Sequence, residues 1–137
     1  MIHYNRADTD RAASWAAQMV EAMEQGGSRQ DKASALQLQG HIAGQRQNWA
    51  EAERLYKEAL AIYRELEEEQ DEAIALNNLG LLARSQGDYD RAKSYYKQAL
   101  AIAEKQGNKE SQATYCDNLG LLALARSPYS STPLARA

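Results

Sequence analysis

Little in this sequence can cross-link the chain, break a helix or bind a metal. Its 137 residues include one cysteine, two prolines and two histidines. Cys116 has no partner for an internal disulfide, which points to a reducing, cytoplasmic setting. Pro128 and Pro133 both fall near the C-terminal end, so the rest of the chain is free to be helical. His3 and His41 have no cysteine or second histidine at ligand spacing, which argues against a metal site. No glycine-rich phosphate cradle is present. The longest stretch nearly free of charge, Ser111–Ala125 with Asp117 inside it, is too short and too polar for a bilayer. The opening "MIHYNRADTD" lacks the apolar segment of a secretory signal. Neither sign of charge dominates: 16 basic and 19 acidic side chains leave a formal net charge of −3. That is an ordinary soluble surface without the basic face typical of nucleic-acid binders.

What the chain does contain is a repeat. "NLGLLA" occurs at Asn78–Ala83 and again at Asn118–Ala123. The shift that carries Asn78 onto Asn118 also places Tyr56–Ile62 ("YKEALAI") on Tyr96–Ile102 ("YKQALAI"), Trp49 on Tyr89 and Ala52 on Ala92. It also aligns Gly40, Gly80 and Gly120. At twice the period, "DRAASWAAQMV" from Asp10 falls on "DRAKSYYKQAL" from Asp90. A fixed period of this length marks a stacked repeat architecture.

Each unit holds two helical patterns. Leu76, Leu79, Gly80 and Ala83 recur at the spacing of one helix face, as do Ala92, Tyr95, Tyr96, Ala99, Leu100 and Ala103. "QGDY" (Gln86–Tyr89) separates them, with Gly87 suited to a helix end and Asp88 to an N-cap. The pattern predicts about six helices, over 8–25, 29–45, 48–68, 70–86, 88–106 and 109–126. The class is all-α, a row of antiparallel helix hairpins. A glycine inside a helix costs about 1 kcal/mol relative to alanine. Three at one phase imply a compensating gain, here close backbone approach of paired helices. Ala52 and Ala92 would supply the small facing surface, with Tyr56 and Tyr96 filling the space beside it.

On these residues the chain resembles the tetratricopeptide repeat family. Gly80, Ala92, Tyr96 and Ala99 match its small, Ala, aromatic and Ala positions in one unit, and Gly40, Ala52, Tyr56 and Ala59 in another. Its usual opening Trp is Leu36, Leu76 and Cys116 here, and its late Pro is Arg64 and Glu104. The 40-residue unit is similar to Leu-Gly-Asn-repeat adaptors, kinesin light chains and bacterial peptide-sensing regulators. The resemblance covers residues 8–126 and implies an α-solenoid with a right-handed superhelix. It gives a repeat domain over 1–126 and a Pro/Ser-containing extended tail over 127–137, where Pro133 would interrupt a further helix. Solenoids need polar caps, and none is evident. The last helix, with Leu119, Leu122 and Leu124, would expose an apolar flank. The tail, sequence of a longer parent or a second copy would cover it, and self-association through this unfinished end is expected.

Catalysis is not expected. Cys116 sits at the phase of Leu36 and Leu76 and reads as a small buried hydrophobe. The acidic run Glu65–Glu72 reads as a solvated junction, with a cation or basic partner as the sharper alternative. No cofactor is implied. The resemblance implies a concave groove lined by the first helix of each unit. Its non-core positions include Gln37 and His41, then Asn77, Asn78, Leu81 and Arg84, then Thr114, Asp117, Asn118 and Leu121. Asparagine has poor helix propensity, yet Asn77, Asn78 and Asn118 sit mid-helix, two of them in phase. Their amides suit gripping a peptide backbone, or equally bonding between neighbouring helices. The family's lysine and arginine clamp for a C-terminal carboxylate is absent from these positions. The leucines and Arg84 favour an amphipathic or apolar protein segment with an acidic anchor. Purely structural self-assembly and a peptide-sensing fragment of a larger regulator are the competing readings.

Overall fold

The computed structural model describes residues 6–24 and 28–126. Among these the chain forms α1 (Arg6–Glu24), α2 (Arg29–Gln45), α3 (Trp49–Glu65), α4 (Glu69–Ser85), α5 (Tyr89–Gln106) and α6 (Lys109–Arg126), with no strand. The all-α hairpin repeat follows the expected phase. The proposed tail, 127–137, lies outside the described residues.

The joints between helices obey a shorter period than the sequence shows. Gln47, Glu67, Gly87 and Gly107 all take left-handed backbone, with φ of 60, 56, 80 and 67°. They are evenly spaced, at half the sequence repeat. After each, a backbone N–H reaches back to close the helix: Asn48 N to Ala43 O at 2.9 Å, Glu68 N to Tyr63 O at 3.0 Å, Asp88 N to Ala83 O at 2.9 Å and Asn108 N to Ala103 O at 3.0 Å. This pattern satisfies carbonyls that a helix end otherwise leaves bare. It stops α3 at Glu65, where an extension to residue 68 was expected. The following helix then starts on a cap: Asp88 Oδ1 accepts from Arg91 N at 3.2 Å and Asn108 Oδ1 from Ser111 N at 3.1 Å.

The chain divides into two compact units, the first running to Asp71 and the second beginning at Glu72. In the first, α2 packs on both α1 and α3. Its core holds Ala16, Ala33, Leu36, Ala52, Leu55, Tyr56, Ala59 and Tyr63. In the second, Ala83, Ala92, Tyr96 and Leu122 form a buried cluster flanked by Tyr89 and Leu119. One ion pair recurs at twice the sequence period: Arg46 meets Asp10 in the first unit, and Arg126 meets Asp90 at 2.7 Å in the second.

The in-phase glycines have a different reason from the one expected. A Cβ on Gly40 would lie 2.8 Å from the Tyr56 ring, and one on Gly80 would lie 2.5 Å from the Tyr96 ring. The glycine therefore admits a tyrosine ring from the next helix rather than that helix's backbone. Around Gly120 a Cβ would meet nothing within 4 Å. Cys116 also departs from expectation, because it is exposed while its counterparts Leu36 and Leu76 are buried. Both departures have one cause. Among the described residues no helix lies on this face of α6.

Candidate functional site

In the first unit, Gln37 and His41 lie one turn apart on α2. Gln37 Nε2 donates to Tyr63 Oη at 3.4 Å, and the same phenol lies 3.3 Å from Ser34 Oγ. Burial raises the Tyr63 phenol pKa, and the hydrogen bonds with Ser34 and Gln37 work against that rise. His41 is exposed and bonds within its own helix, to Gln45 at 3.3 Å. Sequence reasoning singled out Gln37 but not Tyr63, whose buried ring brings its hydroxyl to the α2 face.

In the second unit, α4 and α6 meet side by side at two asparagines. Asn118 Nδ2 donates to Asn77 Oδ1 at 2.7 Å. This is the helix-to-helix bonding that mid-helix asparagines allow. Asn78 is half-buried and also engaged. Around the pair the face is apolar. Leu81 is 38% exposed, Leu121 52% and Leu124 61%, and Ile74 on α4 is 39% exposed. Arg84 lies next along α4 and is exposed. Thr114 Oγ1 donates to the Glu110 carbonyl of its own helix at 3.1 Å, and Asp117 is exposed.

Tyr96 of α5 packs on Gly80 of α4. Burial raises its phenol pKa, while the charge of Arg84 and a contact of its guanidinium with the hydroxyl lower it. The hydroxyl is buried without a partner in good hydrogen-bond geometry. No group of three or more metal-ligating side chains occurs among the described residues. No described helix is long and apolar enough to cross a membrane.

A tetratricopeptide repeat family model matches residues 31–105 and 71–127. The crystal structure of BtubC (BKLC) from P. vanneervenii is similar, with a TM-score of 0.79 and 26% identity over 94% of this chain. The chain spans about half of that protein, 54% of its length. No curated protein sequence matches it. The family match contains both glycine–tyrosine hairpins, those of Gly40 with Tyr56 and Gly80 with Tyr96, and the chain belongs to the tetratricopeptide repeat family.

Proposed function

We propose that this chain is a non-catalytic protein-binding module whose contact surface in the second unit is the face shared by α4 and α6. Repeats of this family mediate protein–protein interaction. The observation that carries the reading is the exposure of Leu81 and Leu121 at one phase of two helices joined through Asn77 and Asn118. Several large apolar side chains gathered on one face mark an interaction surface rather than ordinary scatter. Arg84, with Leu81 one turn before it, supplies a positive charge for an acidic anchor. The asparagine bond uses one acceptor of Asn77 and one donor of Asn118. Each amide has further capacity for a ligand backbone. The ligand is an amphipathic or apolar segment, with Asn78, Thr114 and Asp117 at the polar margin. Gln37 and His41 offer the equivalent face of the first unit. The lone exposed thiol of Cys116 supports a reducing compartment.

The test begins with peptides selected on the wild-type chain from a random display library. Their affinity is then measured on the Leu81→Ala/Leu121→Ala double variant. Burial of a leucine is worth about 1.5–3 kcal/mol, so a loss of at least tenfold, about 1.4 kcal/mol, is expected with the melting temperature unchanged. Undiminished affinity would remove this face as the binding surface.

A further inference from the structure

The two hairpin tyrosines end in different surroundings. Tyr56 packs on Gly40 and Tyr96 on Gly80, each ring lying where a Cβ would press. One turn past Gly40 on α2 stands Gly44, which brings no side chain to the phenol. One turn past Gly80 on α4 stands Arg84. The Tyr96 ring is fully buried, and so is its hydroxyl, which has no partner in good hydrogen-bond geometry. A buried hydroxyl left in that state costs free energy. The guanidinium of Arg84 touches it, out of line for a proper bond. In the first unit, by contrast, the buried Tyr63 hydroxyl is met by both Ser34 and Gln37.

Arg84 is the exposed end of this contact, and it makes no ion pair with a carboxylate among the described residues. Its setting is apolar. Leu81 lies a turn before it on α4, and the Asn118–Asn77 bond fixes the register of α6 alongside. Followed towards the C-terminal ends of both helices, that register brings Arg84 level with Ala125, next to Leu121 and Leu124. A segment that covers these leucines passes over Arg84, so a charge it offers there is a side chain within the segment. The other positions on this face are asparagine, threonine, leucine, Ile74 and the acidic Asp117, with no second cation among them. One positive charge suits a carboxylate better than a phosphate dianion.

A guanidinium holds five N–H donors in one plane. A carboxylate takes two of them along one edge. The Tyr96 oxygen can accept from an N–H on the remaining side, which keeps the free edge turned outward. In the free chain Arg84 is attached on one side only, and a carboxylate is the second attachment that brings the contact into line. We propose that Tyr96 is a positioning residue whose buried hydroxyl holds Arg84 edge-on to the α4–α6 face, where Arg84 selects an Asp or Glu side chain inside the apolar ligand segment. This rests on that face being the binding surface, and it names the ligand residue that the face selects.

The probes are synthetic peptides: the tightest binder selected on the wild-type chain from a random display library, and the same peptide with its Asp or Glu changed to the amide. The wild-type chain is expected to select peptides with an Asp or Glu between apolar residues. The change to amide should weaken binding at least about tenfold, and by less as salt rises. On an Arg84→Gln variant this acid-over-amide ratio should fall close to one. On Tyr96→Phe it should fall at least about threefold, whereas a ring that only filled space would leave it unchanged. Selected peptides without an acidic residue, or a ratio that survives Arg84→Gln, overturn the anchor. A ratio that survives Tyr96→Phe overturns the role of the hydroxyl. Tighter binding of a phosphoserine peptide overturns the carboxylate in favour of phosphate. Loss of binding on amidation of the peptide's C-terminus overturns the side chain in favour of a chain end. Affinity undiminished by Leu81→Ala/Leu121→Ala removes the face and the anchor with it. A normal leucine effect without an acid-over-amide preference removes the anchor alone.

Discussion

Gly80 and Gly120 share a phase and a sequence context, yet their surroundings differ. A methyl group at position 80 would press into the Tyr96 ring at 2.5 Å, and that ring is fully buried and cannot retreat. Overpacking of this kind costs about 1–3 kcal/mol, which outweighs the roughly 1 kcal/mol that alanine gains in helix propensity. Gly80→Ala should therefore lose stability in chemical denaturation. Gly120→Ala should gain about 1 kcal/mol, because only the propensity term acts there. Equal shifts of one sign would refute the ring-over-glycine account. The tyrosines separate in the same way. Tyr63→Phe removes an Oη that meets Ser34 and Gln37 and should cost about 1 kcal/mol, whereas Tyr96→Phe removes a buried hydroxyl whose contact with Arg84 falls short of good hydrogen-bond geometry and should cost less. The repeated glycines were legible in the sequence. Their reason was not, because the letter is the same whether a ring lies over it or nothing does.

At the scale of helices, the joints are specified by backbone more than by letters. Gly87 and Gly107 announce their left-handed turns, but Gln47 and Glu67 adopt the same conformation without the residue that favours it. The run Glu65–Glu72 is rich in good helix formers, so nothing in it signals that α3 ends at Glu65. Its place half a repeat before Gly87 does signal the break, once the shorter period of the joints is known. Left-handed backbone costs a non-glycine residue about 1–2 kcal/mol. Glu67→Gly is then expected to stabilise the chain by about 1 kcal/mol, and Gly87→Ala to destabilise it by a similar amount. Urea midpoints for the two variants check the pair, and a Glu67→Gly loss would show that the side chain contributes more than the strain it imposes. The candidate face was legible at the same level. The phase of Leu81 and Leu121 placed them off the packing surface, and they are exposed. Spacing alone left the asparagines open between ligand and neighbour, and only coordinates show Asn118 donating to Asn77.

For the molecule as a whole, the same substitution pattern that builds both units also makes them sensitive to alkali. The large residues that lock these hairpins are tyrosines where other cores use phenylalanine, which this chain lacks. Burial pushes the Tyr56 phenol from the ordinary 10 to about 12, and burial likewise raises Tyr63 in the first unit and Tyr96 and Tyr115 in the second. A folded-state pKa above the unfolded value means that the folded chain holds its phenolic protons more tightly. The stability linked to those protons is complete below pH 10 and is lost as pH climbs towards 12. Neutral and mildly alkaline solutions should leave both units unaffected. Between pH 10 and 12 helical circular dichroism should fall, together with a delayed part of the phenolate absorbance from the eight tyrosines. All eight ionising in one step near pH 10 with helix content intact would contradict the packing described for Tyr56 and Tyr96. A Tyr56→Phe variant sharpens the test. It should remove a late-titrating phenol and shift the loss of helix in the first unit to higher pH, because one fewer buried proton must be surrendered.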